Sequence, residues 1–188
     1  MRASSKMKYD HTVFLGSNTL KEVRKDMAKF KAPSWLAIAP KHPGDAGWGK
    51  FTADQWRTFC TVNLPITLIR LWGHLPENSQ QHQALINFMH LVTAVEFASM
   101  RKMTRYRIEE YETNMLKYLT GLLELYPGTT LTPYQHHALH FPSMLRNFGP
   151  THGYRCWPFE RINNKLRSIP TNNKFGNCFS LPRRVCLQ

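Results

Sequence analysis

Apolar side chains recur three or four positions apart in two long stretches near the middle of the chain, at residues 78 to 100 and 104 to 126. The first set is Leu85, Phe88, Met89, Val92 and Val95. The second set is Ile108, Tyr111, Met115, Leu119, Leu122 and Leu125. This spacing places each set on one face of an α-helix. Because only about three or four residues join the stretches, we predict an antiparallel hairpin whose facing stripes form a core.

A short amphipathic helix is predicted upstream, at residues 17 to 30, and it ends before Pro33. Its N-cap is expected at one of three polar residues, Ser17, Asn18 or Thr19. The loop that follows, residues 33 to 50, is rich in proline and glycine. Two short segments, HTVFL at 11 to 15 and TLIRL at 67 to 71, come nearest to the alternation of a strand, but neither alternates convincingly.

A second helix begins at Thr52, because Thr52 and Gln55 form the T-x-x-Q pattern of a capping box. One face of this helix carries Trp56, Phe59 and Cys60. Pro65 lies about three turns into this helix and must kink or split it. Gly73 is the predicted end.

The same capping pattern recurs after the hairpin, at Thr132 and Gln135, with Pro133 at the first helical position. Pro142 should limit this helix to about two and a half turns before a bend. Gly149-Pro150 ends the segment, and a last helix is predicted from about Pro158 to Ser168. The predicted fold is therefore all-α, a hairpin-based bundle of about five or six helices.

Charge divides this chain of 188 residues, 42% of them hydrophobic, into a neutral body and two cationic ends. Residues 1 to 31 carry eight basic and three acidic side chains (+5), and residues 146 to 188 carry eight and one (+7). The residues between them carry nine and eight (+1), which completes the net charge of +13. Cationic ends suit a polyanion such as DNA, although solvated basic tails would give the same pattern.

The four cysteines include no C-x-x-C pair, which argues against a zinc ribbon and suggests no disulfide framework. A reduced, intracellular setting is expected. The N-terminus runs into no apolar signal region, and the longest apolar stretch contains His90 and Glu96. We therefore predict no contact with a membrane.

Two groups of residues suggest site chemistry only weakly. His136 and His140 share a helical face at the spacing of a zinc-binding pair, and a zinc hydrolase would hold about one ion per chain. The segment H-H-A-L-H lacks the glutamate of H-E-x-x-H, so we favour hydrogen-bonded structural histidines and predict no metal ligands. Cys156 and His152 are a nominal nucleophile and base, but Gly153 and Pro158 leave them without a defined mutual geometry.

The segment HGYRCWPFERINNKLRS, residues 152 to 168, interleaves cations with aromatic side chains. Four of its cations and one further residue are predicted to bind nucleic acid: Arg155, Arg161, Lys165, Arg167 and Lys174. Trp157 and Phe159 could equally anchor the helix to a core. Glu160, in the first helical turn, is favoured there by the helix dipole, so its position alone leaves a structural or a catalytic role open.

A longer run that includes this segment, YQHHALHFPSMLRNFGPTHGYRCWPFERINNKLRSIPTNNKFG, occurs with WRTFCTVNLPITLIRLWG and RIEEYETNMLKYLTGLLELYPG. Together they resemble the C-terminal region of fungal CACTA-type (En/Spm-like) DNA transposases, a region also described as a domain of unknown function. The resemblance covers roughly residues 9 to 176. Its most specific part runs from His140 through Phe148-Gly149-Pro150 to Trp157-Pro158-Phe159-Glu160-Arg161.

The resemblance implies a cut-and-paste transposase with an RNase H-like core, in which three carboxylates hold two Mg²⁺ ions. The helices here would be the helical insertion and last helix of that core, and Glu160 is the single position that matches a catalytic carboxylate. The family's first two carboxylates would lie upstream, because none of the four aspartates, Asp10, Asp26, Asp45 and Asp54, has a strand-rich setting.

We therefore predict a basic N-terminal segment (1–31), a transposase-like helical region (32–176) and an unrelated, disordered tail (177–188). The favoured function is a transposase-derived fragment of a mobile element, inactive alone, nuclear, with nonspecific affinity for DNA. It would bind no cofactor by itself, whereas the parent family uses Mg²⁺. The alternative is a non-enzymatic helical module that binds nucleic acid or a protein partner.

Overall fold

The computed structural model of the protein describes residues 15–33, 36, 39–40, 43, 51–154 and 157–167. Every regular element in these ranges is helical, which confirms the predicted all-α fold. The α-helices are α1 (Ser17–Lys29), α2 (Ala53–Thr58), α3 (Leu64–Trp72), α4 (Gln80–Ala98), α5 (Arg105–Leu125), α6 (Pro133–Phe148) and α7 (Trp157–Arg167). A π-helical segment, Phe59–Asn63, joins α2 to α3, and a 3₁₀ turn, Thr151–Gly153, follows α6.

The chain divides into two units, Met1–Gly153 and Tyr154–Gln188. The described part of the second unit is Tyr154 and α7. The predicted tail, residues 177–188, lies outside the described residues.

Helix α1 packs on α3 through both apolar and charged contacts. Val23 and Met27 are buried on the apolar side. Beside them, the carboxylate of Asp26 accepts hydrogen bonds from Thr67 Oγ1 (2.9 Å) and Arg70 Nη2 (3.0 Å). The predicted N-cap of α1 is wrong, because the helix starts one residue earlier, with Gly16 at the N-cap position and its carbonyl accepting from Leu20 N at 3.0 Å.

The predicted effect of Pro65 is confirmed, because the second helix is interrupted just before it. Thr52 and Gln55 form the predicted capping box at the start of α2. In the π-helical segment the N–H of Leu64 bonds to the carbonyl of Phe59, five residues back. Proline has no N–H and clashes with the carbonyl four residues back, and the wider π turn is one way to accommodate it.

Helices α4 and α5 form the predicted antiparallel hairpin, with Ser79 and Thr104 as their side-chain N-caps. Six residues, 99–104, join them. His90 Nδ1 lies 3.0 Å from Asn114 Oδ1 across the hairpin. Further along, a Cβ on Gly121 would lie 2.4 Å from Asn87 Oδ1, so glycine allows the close approach of the two helices at that level.

Helix α6 corrects a prediction, because it runs unbroken from Pro133 to Phe148 with Pro142 inside it. The proline cannot donate to the carbonyl of Ala138, four residues back. That carbonyl instead accepts a hydrogen bond of 2.9 Å from the hydroxyl of Tyr111 on α5. Burial raises the pKa of Tyr111, which keeps its hydroxyl protonated as a donor. The helix ends at Gly149, whose φ of 71° is readily adopted by glycine.

The apolar core of the first unit consists of two clusters. The first cluster is formed by Val23, Met27, Ala39, Phe59, Leu64, Leu68, Trp72 and Leu85. The second cluster is formed by Ala94, Ile108, Tyr111, Met115, Leu119 and Leu145. Helix α4 contributes Leu85 to the first cluster and Ala94 to the second, so it connects the two parts of the core.

Candidate nucleic-acid interface

The cations predicted to bind nucleic acid fall on or near α7. The structure confirms a helix at this position and places Lys165 and Arg167 on its exposed surface. Arg161 belongs to the same helix, but its side chain lies outside the described atoms, and Arg155 and Lys174 lie outside the described residues. The cationic character of α7 therefore rests, structurally, on Lys165 and Arg167.

The predicted catalytic carboxylate, Glu160, lies in the first turn of α7, and its side chain is also outside the described part. Two of the four aspartates are described, and both form ion pairs. Asp26 pairs with Arg70 at 3.0 Å, and Asp54 pairs with Arg57 at 3.0 Å. Both act as structural partners of arginine.

The histidines of α6 lie on its exposed surface. His136 Nε2 and His140 Nε2 are 3.2 Å apart, a distance at which the two rings hydrogen-bond. The neighbouring His137 is also exposed, with its ring centroid 6.1 Å from that of His136. In the ranges that the structure describes, no group of three or more His, Cys, Asp or Glu side chains is arranged to hold a metal ion.

The nominal pair of Cys156 and His152 is not brought together by any described contact. His152 Nε2 lies 2.9 Å from the carbonyl oxygen of Ser99, and because a carbonyl only accepts, that nitrogen donates. Cys156 lies outside the described residues. Burial raises the pKa of the thiol of Cys60, which makes it a weaker nucleophile at neutral pH.

A cationic group that the sequence analysis missed lies where α4 turns into α5. We call it the basic tip, and it consists of Arg101, Lys102, Arg105 and Arg107. Arg101, Lys102 and Arg105 are exposed. Tyr106, between the two α5 arginines, is 62% exposed. Cations that alternate with an exposed aromatic ring suit phosphates and stacked bases.

The basic tip contradicts the usual charge preference of helices. The first residues of α5 are Arg105, Tyr106 and Arg107, and Thr104 caps the helix by accepting from Arg107 N at 3.3 Å. The positive end of the helix dipole favours carboxylates and disfavours cations. Functional sites are where natural proteins are expected to break local rules of this kind. The same dipole would add to the attraction of the cations for an anion.

Ion pairs neutralise part of this charge. Arg105 Nε pairs with Glu109 Oε1 at 2.8 Å, but the two side chains are 92% and 53% exposed, so the pair is weak and readily exchanged. Arg107 Nη1 donates to the carbonyl of Lys102. This bond stabilises the shape of the basic tip and does not neutralise the charge of Arg107.

A cleft of about 580 Å³ adjoins the basic tip. Arg105 and Thr104 line it from α5, and Arg146 lines it from α6, with Gly149 and Pro150 at the edge. Arg146 is also paired with Glu112 Oε2 at 2.8 Å. The cleft thus adds a fifth cation to the same end of the hairpin.

The basic tip was visible in the sequence as R-K-M-T-R-Y-R, four cations in the seven residues 101 to 107. Summing charge over the whole region between residues 32 and 145 concealed it, because the acidic residues further along α5 cancel it. A charge sum over a window of about seven residues would have found it. What the sequence could not show is that Arg146 lies at the same end of the hairpin.

None of the helices within the described residues is both long enough and apolar enough to cross a bilayer. Comparisons of the chain with protein-family models, with curated proteins and with solved structures give no match.

Proposed function

We propose that this chain is a transposase-derived helical fragment that binds DNA nonspecifically through its cationic surfaces and does not cut DNA by itself. The segments that resemble the C-terminal region of CACTA-type transposases support the origin. The net charge of +13 supports a polyanionic partner, because Lys and Arg that neutralise phosphates release counterions whatever the base sequence.

The observation that carries the proposal is the basic tip. Two of its cations, Arg105 and Arg107, lie in the first turn of a helix of 21 residues, where the positive end of the helix dipole disfavours them. Arg101 and Lys102 are exposed. Exposed cations at such a position can contact successive phosphates, while the ring of Tyr106 can stack on an unpaired base.

Helix α7 provides the second proposed contact, through Lys165 and Arg167, with Arg155, Arg161 and Lys174 as further predicted contacts. Lys165 and Arg167 are exposed and belong to the unit that starts at Tyr154. Contact with phosphates at two places would give a salt dependence steeper than either would give alone.

The test is binding of the full chain to a fluorescent DNA duplex, measured by anisotropy between about 50 and 200 mM salt. We expect R101Q and K102Q each to lower the slope of log K against log salt by about one, the amount lost with one phosphate contact. K165Q and R167Q should have the same effect. K117Q is the matched control, because Lys117 is an exposed lysine of the same hairpin, away from the tip.

Two results would contradict DNA binding by these surfaces. One is affinity that hardly changes with salt, since phosphate neutralisation requires a steep dependence. The other is a K117Q chain that loses as much affinity as the K102Q chain, because charge alone, and not the basic tip, would then account for binding.

Catalytic inactivity has its own test. Three carboxylates are required to hold the two metals of a transposase core, and Glu160 is the single position here that matches one of them. We therefore expect purified chain to leave supercoiled plasmid intact in the presence of Mg²⁺. Nicking that disappears in an E160Q chain would show that this chain forms an active site of its own.

A protein-binding module is the second candidate, and one feature of α7 favours it. Phe159, Ile162 and Leu166 lie three and four residues apart on one side of the helix and are 68%, 53% and 58% exposed. An apolar stripe of this spacing is typical of a helix that docks into a groove of a partner. If this function is the correct one, F159A and L166A should abolish association with the partner while K102Q leaves it unchanged.

A further inference from the structure

Two distances define the arrangement of His136 and His140 on α6. Their Nε2 atoms are 3.2 Å apart, and their ring centroids are 4.9 Å apart. A straight N–H···N hydrogen bond of that length would place the centroids about 5.5 Å apart. The two rings are therefore not aligned head-on.

A shared metal ion fits these two separations. Two imidazole nitrogens that each lie about 2.0–2.1 Å from one zinc ion, at an angle of about 100°, are about 3.2 Å apart, with ring centroids about 5 Å apart. Both separations agree with those of the histidine pair. The rings thus already have the spacing of a chelate before any ion is bound.

We propose that His136 and His140 form a two-histidine chelate for a divalent transition metal ion. The proposal differs from the sequence-based expectation of purely structural histidines, and it is independent of DNA binding. Neutral imidazole suits Zn²⁺, Cu²⁺ and Ni²⁺, whereas Mg²⁺ prefers oxygen ligands, so the site is distinct in chemistry from a transposase metal site.

Binding requires both Nε2 atoms to offer a lone pair. In the hydrogen-bonded pair one of them carries the proton, which moves to Nδ1 of the same ring when the ion enters. No net proton is released from the two neutral rings by this exchange. Both residues are exposed, so water can occupy the remaining coordination positions.

The chelate would span one turn near the start of α6, since residues four apart lie one above the other on a helix. A metal ion held there therefore joins two successive turns of a helix that lacks one backbone hydrogen bond at Pro142. Because the ion binds the folded helix and not the unfolded chain, it should raise the melting temperature.

The experiment follows the ring nitrogens of the full chain by ¹⁵N NMR during titration with zinc chloride, with a phosphine reductant present to keep the cysteines reduced. We expect the Nε2 signals of His136 and His140 to move together along one binding curve. H136A and H140A should each weaken this binding at least about tenfold, because a chelate loses one of its two protein ligands. The same two substitutions should abolish the zinc-dependent rise in melting temperature.

H137A is the matched control, since His137 is an exposed histidine on the same helix, next to the pair. It should bind zinc as the wild-type chain does. Circular dichroism of each variant without zinc checks that α6 still folds. The proposal is wrong if His136 and His140 signals stay in place at millimolar zinc, or if H137A weakens binding as much as H140A.

Discussion

Two helical regions of this protein contain a proline well after their capping box and accommodate it differently. Both helices start from a T-x-x-Q capping box, at Thr52 and at Thr132. Before Pro65 the chain forms a π-helical segment, so that α2 and α3 become separate helices. Around Pro142 the helix continues, and the carbonyl of Ala138, which the proline cannot reach, accepts a hydrogen bond from the hydroxyl of Tyr111 on α5.

The two arrangements differ in whether the buried polar groups beside the proline are hydrogen-bonded. Next to the π-helical segment, Thr58 Oγ1 and Asn63 Oδ1 are buried and have no hydrogen-bond partner among the described residues. At Pro142 the freed carbonyl of Ala138 is satisfied. A proline fixes which hydrogen bond is lost, while a neighbouring helix can supply a donor for the freed carbonyl.

The largest expected loss of stability follows substitution of the leucine that lies three residues after each of these prolines. Leu68 and Leu145 are 3% and 1% exposed, one in each apolar cluster. L68A and L145A should each lower the free energy of unfolding by about 2–5 kcal/mol, through lost burial and the cavity that remains. Urea denaturation measures this. Y134A, at a position 86% exposed on α6, should change stability by less than about 0.5 kcal/mol. A loss as large as that of L145A would show that α6 packs differently.

A smaller effect should follow removal of the Tyr111 hydroxyl. Y111F leaves the Ala138 carbonyl without its donor and should cost about 1–3 kcal/mol. In a P142A chain the restored N–H can bond to that carbonyl, so Y111F should then cost clearly less. Urea denaturation of the wild-type chain, the two single variants and the double variant gives the coupling energy between the two substitutions. If the two substitutions are additive within about 0.5 kcal/mol, Tyr111 does not compensate for the proline.

Two buried threonines near Pro65 should respond to substitution by valine with changes of opposite sign in the free energy of unfolding. Thr67 Oγ1 donates to Asp26, and T67V should cost about 1–2 kcal/mol because the carboxylate loses a donor. Thr58, buried without a partner among the described residues, should tolerate valine or gain up to about 1 kcal/mol. Urea denaturation of both variants decides this, and equal losses would mean that Thr58 has a partner.

The smallest effect concerns pH and the charged contact between α1 and α3. Hydrogen bonds from Lys25 and Arg70 lower the pKa of Glu22 below its ordinary value of 4.5. A carboxylate with a lowered folded-state pKa stabilises the fold above pH 4.5, and this is lost as pH falls through the folded-state pKa.

Removal of one partner should therefore raise the pKa of Glu22 toward 4.5, as followed by carboxyl ¹³C NMR in an R70M chain. The difference in stability between R70M and wild type should also shrink as the pH falls below 4.5. R105M is the control, since Arg105 pairs with Glu109 on another helix. An unchanged Glu22 titration in R70M would contradict the contact.

Much of the fold could be predicted from short-range patterns. Both capping boxes, the Pro133 start of α6 and the Gly149 end were read correctly, because each depends on a few adjacent residues. The stripe of α5 was also correct, since Ile108, Tyr111, Met115 and Leu119 are buried. For α4 the pattern missed Ala84, Asn87 and Ala94, which are buried because α4 lies between two clusters and not against one.

The candidate sites were less predictable. Lys165 and Arg167 were predicted from local charge to bind nucleic acid, and both are exposed. The basic tip was missed because charge was summed over too long a region. The distance between the α6 histidine rings could not be predicted, because a spacing of four residues fixes a shared face but not a ring orientation.

By itself the sequence determined the helices, most of their ends and the excess of positive charge, because caps, periodicity and proline chemistry act within a few residues. The tertiary structure alone decided three things: that Tyr111 donates to the Ala138 carbonyl, that Arg146 and Arg105 line one cleft, and that a glycine lets α4 and α5 approach at Asn87. Each depends on residues 27 to 41 positions apart in the chain, brought together when apolar faces pack.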